Sequence, residues 1–379
     1  MTTADWNSLA DEMLAENGPT ALVCRQWLMP AEGRDAVIFP PTFAAPEGGK
    51  AQYNIDPLGD PSDPKALRVA TIDTVGSQAN RMEPLFKKAN GEATPYSRLV
   101  PQIEIKAGNK IVNLLDAGHR AADAVVRYST LGPKLKDAFE NYDESGDATQ
   151  LAKIAPTSLV FGAWDSRATQ VKLPRLVAST IRAYNVVELK RSAQYFPPID
   201  YVKENLFDDD FLETKYKDTN IGSFFGLKAA PAFRNPGGVI VLGEIRREAI
   251  LSLIGLRAIG PKGPTGDALR RYVLGLALVA MTFDREHNLR QGCLLVNDPD
   301  KQALWELVAH NGMREPFARD SRAAAAFAQE AAEKFGVGES KPCDFLNREN
   351  ARAEIEKEID EKGGARKARA RKTDNKGSN

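Results

Sequence analysis

The chain has 379 residues, 42% of them apolar, and its 51 Lys and Arg are balanced by 51 Asp and Glu. That length suits one large domain or two ordinary ones with a real core. A net charge of zero excludes a uniformly basic nucleic-acid surface, so any nucleic acid must meet a local patch.

Other classes are disfavoured by pattern. No apolar run is long enough to span a bilayer, and Arg270 and Arg271 interrupt the richest one, 269–283. The first residues carry acidic groups where a secretory signal needs basic ones. Cys24, Cys293 and Cys343 are odd in number and far apart, which does not suggest a disulfide framework. A cytoplasmic protein without membrane contact is the expectation.

In chain order, Trp6, Leu9, Met13 and Leu14 fall at helical spacing, and Asn17-Gly18-Pro19 stops that helix. Residues 21–28 read as a first strand. Residues 30–64, rich in Pro and Gly, are too long for an ordinary loop and read as an insertion. Residues 68–75 read as a strand, and Ser77 is placed to cap the following helix, which Pro84 disturbs. Ala107-Gly108-Asn109 marks a hairpin between 102–105 and 110–113. Helices are predicted over 117–127 and 132–142.

The stretch 172–187 fits a helical stripe, but its β-branched residues favour a strand. Residues 197–238 read as a second irregular insertion. Then follow a strand at 239–245, a buried apolar run at 250–259, a helix at 267–283 capped by Thr265, and a strand at 292–296. Helices are predicted at 301–311 and 315–335. From 346 to 379 charge dominates, and a disordered tail is expected. The mixed order argues α+β rather than alternating βαβ units. The expected organisation is a single domain over 1–345 with insertions at about 30–64 and 197–238.

Between Asp165 and Tyr195, six basic residues (Arg167, Lys172, Arg175, Arg182, Lys190, Arg191) face two acidic ones, a local balance of +4. Trp164, Tyr184 and Tyr195 are interleaved. Cations hold phosphates and ring faces stack bases, the combination a single strand of nucleic acid needs. Most charge clusters are solvated surface, so residue types alone leave both readings open.

Catalytic chemistry finds little footing. His119, His287 and His310 share no ligand spacing and no CxxC occurs, so no metal or other cofactor is expected. The glycine-rich 255–266 lacks the lysine and serine of a phosphate-binding loop. His119 beside Arg120 is the best acid–base candidate, against a plain surface histidine. In the polar segment IDTVGSQANRMEP (72–84), Asn80 and Arg81 are placed either to grip a phosphate or, through an Arg81–Glu83 pair, to fix a helix to the sheet.

That segment, together with LVFGAWDSR and KLPRLVASTIRAYNV…RSAQY within 159–195, resembles the CRISPR-associated RAMP backbone (Cas-seven-type) protein of type I-G, formerly I-U, Cascade. The likeness is looser at 119–129 and 243–250 and is not claimed for the first 60 residues or the tail beyond about 345. It implies a modified RRM-like (ferredoxin-like) palm with inserted thumb and finger elements. It also implies a non-catalytic subunit that lines up head to tail along a guide RNA (crRNA) and presents it to target DNA beside other type I-G Cascade subunits. On this resemblance Arg167, Lys172, Arg175, Arg182 and Arg191 are the first phosphate contacts and Arg81 and Arg120 the second. Trp164 and Tyr195 would pack against bases or ribose. No RNP-type aromatic pattern is evident. The alternative is an RNA endonuclease using His119, or Asp73 and Asp165 with a metal.

Overall fold

The computed structural model describes residues 3–44, 51–63, 65–357 and 359. The tail beyond 359, expected to be disordered, and 45–50 of the first insertion lie outside the described residues. Within the charged segment from 346, residues 348–357 are helical, and Asn347 caps them by accepting from the Asn350 N–H at 2.8 Å.

The fold is α+β. Its spine is a nine-stranded antiparallel sheet. The strands are β1 (Ala21–Pro30), β2 (Ile55–Leu58), β3 (Leu67–Asp73), β4 (Val177–Tyr184), and, after the paired strands β5 (Val186–Tyr195) and β6 (Ala230–Val241) of a second sheet, β7 (Ile245–Ser252), β8 (His287–Arg290), β9 (Cys293–Asn297), β10 (Leu304–Val308) and β11 (Arg314–Pro316). The order is β8-β9-β1-β7-β4-β3-β2. The free edge of β1 is shared, β10 pairing Ala21–Arg25 and β9 pairing Leu28–Pro30. The four strands β10-β1-β7-β4 thus run fourth, first, third, second in chain order, all antiparallel.

Alternation decides which face is covered. In β1, Leu22, Cys24 and Leu28 are buried while Val23, Arg25 and Trp27 are not. In β7, Ile245, Arg247, Ala249 and Leu251 face inward and Arg246, Glu248 and Ile250 outward. The inward face is covered by α1 (Thr3–Leu14), α2 (Val75–Met82), α3 (Gly132–Ser145), α4 (Pro264–Thr282) and α5 (Ser321–Phe335), with shorter helices between them. Helix α4 is apolar almost all round and buried, as a central core helix must be. Alanine-rich α5 is capped by Asp320, whose carboxylate accepts from the Arg322 and Ala323 N–H groups. The two helices approach so closely at Gly275 that a Cβ there would lie 2.8 Å from Ala328 Cα.

A second core, with Leu28, Ile72, Ile181, Ile245 and Leu295, lies at the other end of the sheet under β8 and β9. Strands β5 and β6 leave it as an antiparallel arm joined by 196–229. Val186, Val239 and Val241 bury the root of the arm, and Lys190 to Tyr195 are exposed. The register shifts at Glu188/Lys190 and Arg191/Ala193, where bulges sharpen the twist. Gly237 allows this, since a Cβ there would meet the Lys190 backbone at 2.8 Å.

Several expectations are corrected. Within 301–311 there is no helix but strand β10 (Leu304–Val308), because Trp305 and Leu307 alternate inward and the backbone completes the edge of β1. The strand expected at 239–245 is broken at 242–244, where one sheet is left for the other. Ile250 and Ile254, expected in a buried run, are exposed at 43% and 54%. The cap of α2 is Thr74, which accepts from the Ser77 N–H, so Ser77 is the recipient. Residues 117–127 hold only short turns and Ala124–Arg127. Helix α5 starts at Ser321 because Arg314–Pro316 pairs with β10. The second insertion is narrower than expected, since 230–238 belongs to the arm strand β6.

Candidate nucleic-acid interface

Among the described residues, the outward side chains of the central strands are not sealed: Trp27, Arg182, Arg246 and Glu248 are half-buried, and Arg25 and Ile250 are exposed. Cross-strand pairing sets Trp27, Arg246, Arg182 and Thr71 side by side over β1, β7, β4 and β3. Tyr184 stands two residues beyond Arg182 on the same face. The Arg246 guanidinium lies 3.9 Å from the Tyr184 ring centre. Trp27 donates its indole N–H to Glu244 at 2.7 Å, and Lys301 lies 5.9 Å from the indole centre. A shallow trough of about 570 Å³ continues over Val23, Arg25, Thr180, Glu248 and Ile250.

The charges on this face are Arg25, Arg182, Arg246, Lys301 and Arg314 against Glu244, Glu248 and Glu306. The ion pairs are Arg25–Glu248 (3.3 Å), Arg182–Glu248 (4.0 Å), Arg246–Glu244 (3.2 Å), Lys301–Glu244 (3.2 Å) and Arg314–Glu306 (2.7 Å). All are partly exposed, and such pairs are worth at most about 1 kcal/mol each. A phosphate can therefore compete for these arginines at small cost. Aromatic faces beside exchangeable cations are the groups that stacked bases and a tracked phosphate backbone would need.

The residues chosen from sequence do not form one patch. Trp164 and Lys172 are cross-strand partners in a two-stranded ladder, the ammonium 4.6 Å from the exposed indole. Arg167 is exposed on the turn between them. Arg175 follows, its Nε donating to the Phe161 carbonyl at 2.9 Å. Arg182 belongs to the open sheet face. Arg191 and Tyr195 are exposed on the arm, whose outer part also exposes Phe196, Phe207, Phe211, Tyr216, Phe224 and Phe225.

Arg120 and Arg81 are committed elsewhere. Arg120 is buried, its Nε 2.7 Å from Glu83, with further bonds to the Gly162 carbonyl and Asn80. Burial pushes the Glu83 carboxyl above its ordinary range against the pull of Arg120. Glu83 therefore pairs with Arg120 and not with Arg81. Arg81 bonds Asp73 (3.0 Å) and the Leu289 carbonyl (2.6 Å), tying α2 to β8. This matches the structural role weighed for the 72–84 segment, with a different acid.

The groups proposed for cleavage are dispersed. His119 is exposed, 3.5 Å from Asp123. Asp165 is buried, which opposes ionisation, yet Thr169, Ala168 and Arg127 hold its pKa below the ordinary range. Asp73 is buried between Arg81 and Arg290. Among the described residues no group of three or more His, Cys, Asp or Glu is placed to hold a metal ion. Nor is any helix among them long and apolar enough to cross a membrane.

Trp27 and Arg246 were missed in the sequence. The signal was present as alternation in β1 (Val23, Arg25, Trp27) and β7 (Arg246, Glu248, Ile250), but only pairing shows that the two strands are neighbours.

Residues 22–188 match the family model of CRISPR-associated protein GSU0053. The matched span runs from β1 into β5 and takes in the helices between β3 and β4. It supports a CRISPR-associated protein. A comparison with curated proteins finds no match.

Proposed function

We propose that the chain is the guide-RNA-binding backbone subunit of a type I-G CRISPR interference complex. The observation that carries this is the open sheet face, with the row Trp27–Arg246–Arg182 and Tyr184 beside it, in a chain whose first half matches a CRISPR-associated family. The order fourth-first-third-second of β10, β1, β7 and β4 supports an RRM-like palm. On this reading the arm β5–β6 is the thumb, and the described part of the first insertion before β2, residues 31–44 and 51–54, belongs to the fingers.

Base pairing reads the target, so the protein need hold only the shape and phosphates of the guide. Copies assemble head to tail on the RNA, a heterologous contact whose length the RNA must limit. The aromatic tip of the arm suits contact with the next copy. The subunit does not cleave its guide.

The test is to extract nucleic acid from the full chain purified from its host, then measure binding of a labelled repeat–spacer RNA with and without magnesium. Discrete RNAs of uniform length and protection without cleavage are expected. RNA-free protein that ignores a supplied guide at low salt would overturn the proposal. Cleavage abolished by Asp165→Ala or His119→Ala would replace it with an endonuclease.

A further inference from the structure

The covered side of the sheet holds a second concentration of arginines that the open-face reading does not use. Between the two cores runs a polar seam of Asp73, Gln78, Ser179 and Arg247. Arg247 is only 4% exposed. Its Nε donates to Ser179 Oγ and its Nη1 to Gln26 Oε1, both at 3.2 Å and both neutral. Its Nη2 has no partner among the described residues, and no carboxylate there pairs with it. A buried guanidinium without a counter-ion is unfavourable and is normally matched by an anion.

Its neighbours add positive charge. Burial, aided by Arg247, pushes Arg285 down to about 9. Burial, then Arg247 and Arg285, push His287 down to about 4. Arg319 also acts on Arg247. The nearby acids are spoken for or peripheral. Asp73 lies between Arg81 and Arg290, Asp284 pairs with Arg319, and Glu286 is exposed.

Beside this cluster lies a cavity of about 510 Å³ between α2 and residues 283–287. Gln78, Arg81, Arg285 and His287 give it a hydrogen-bonding wall with two arginines, Met82, Leu85 and Phe283 an apolar one, and the exposed Asp284 and Glu286 complete its lining. We propose that this cavity binds a phosphate-bearing ligand, with Arg285 and His287 taking the oxyanion and Phe283 facing whatever the phosphate carries. The shared chemistry is a phosphate monoester or free phosphate. The volume leaves room for a nucleotide. The site lies apart from RNA on the open face, because its wall residue Gln78 bonds Ser179, whose side chain points to the covered side of β4, opposite Arg182.

The test titrates the full chain with inorganic phosphate, a 5′-mononucleotide and a 5′-phosphorylated trinucleotide. Binding is followed by calorimetry and by the His287 imidazole resonance, assigned through its loss in His287→Gln. At about pH 6 that resonance should move saturably toward the protonated position, since a bound anion offsets the arginines. Arg285→Gln should weaken binding by about tenfold or more, the loss of one charge-assisted hydrogen bond. Equal affinity for phosphate and nucleotide would identify a free-anion site. Tighter nucleotide binding would identify base contact at Phe283, and preference for the trinucleotide an RNA end. A His287 resonance unmoved by all three ligands at millimolar concentration would overturn the proposal. So would binding undiminished in Arg285→Gln. If that variant does not fold, the wild-type His287 shift decides alone.

Discussion

Arg246 and Arg247 are consecutive in β7, yet alternation puts them in different physical regimes. Arg246 stands on the open face, over the Tyr184 ring and paired with Glu244. Arg247 is sealed under the helices, held by Ser179 and Gln26, with no acid to balance it. On the open side water screens every charge, so ion pairs are weak and exchangeable. On the covered side charge is costly, so an unmatched group such as Arg247 is unfavourable. On the proposed readings, the same residue type serves an adaptable surface for a long polyanion on one face and a selective pocket on the other.

Breaking the covered side should produce the largest effects. Glu83→Ala leaves Arg120 buried without its acid and should cost about 3–5 kcal/mol in a urea titration. A loss below about 1 kcal/mol would mean that Arg120 finds water, and that this side is less closed than described.

The next effect is one of pH. His287 is held neutral in the fold, with its pKa lowered from 6.5 to about 4. The unfolded chain takes up that proton first as pH falls. Stability from this group is therefore full above about pH 6.5 and is lost as pH falls toward 4, by about 3 kcal/mol in all. Urea midpoints of wild type and His287→Gln across this range should converge toward the acid end.

On the open side, Trp27→Ala should weaken RNA binding by about 1–3 kcal/mol if bases stack there, measured by filter binding at fixed salt. Its effect on folding should be smaller than that of Glu83→Ala. Thr74→Ala sharpens the contrast from the other direction. It removes the cap of α2, should cost about 1 kcal/mol of stability, and should leave RNA affinity unchanged. Smallest of all, Arg25→Ala should shift stability by less than about 1 kcal/mol, because its pair with Glu248 is exposed.

Local pattern made much of the fold legible. The first helix, β1, β3, β9 and the hairpin around Gly108 all carry strong periodicity or turn chemistry. The β-branched residues of 177–184 correctly outweighed their helical stripe. What failed was decided by partners distant in sequence. Residues 304–308 become a strand because the edge of β1 is vacant beside them. The arm was half hidden, since β6 is interrupted by Pro231, Pro236, Gly237 and Gly238, which read as loop until the bulged pairing with β5 is seen. The candidate site was legible in part. Arg182 and Tyr184 stood in the basic aromatic segment, but their companions Trp27 and Arg246 lie far away in sequence. Arg120, equally basic, is withdrawn by Glu83, a pairing across 37 positions that spacing cannot disclose.

The most direct measurement is ultraviolet crosslinking of a bound guide RNA to the full chain, with the modified peptides located by mass spectrometry. Crosslinks at Trp27 or Tyr184, lost in Arg182→Glu/Arg246→Glu, are the expected result. Crosslinks confined to peptides of the helix-covered side, with both open-face residues unmodified, would contradict the assignment of the open sheet face as the RNA platform.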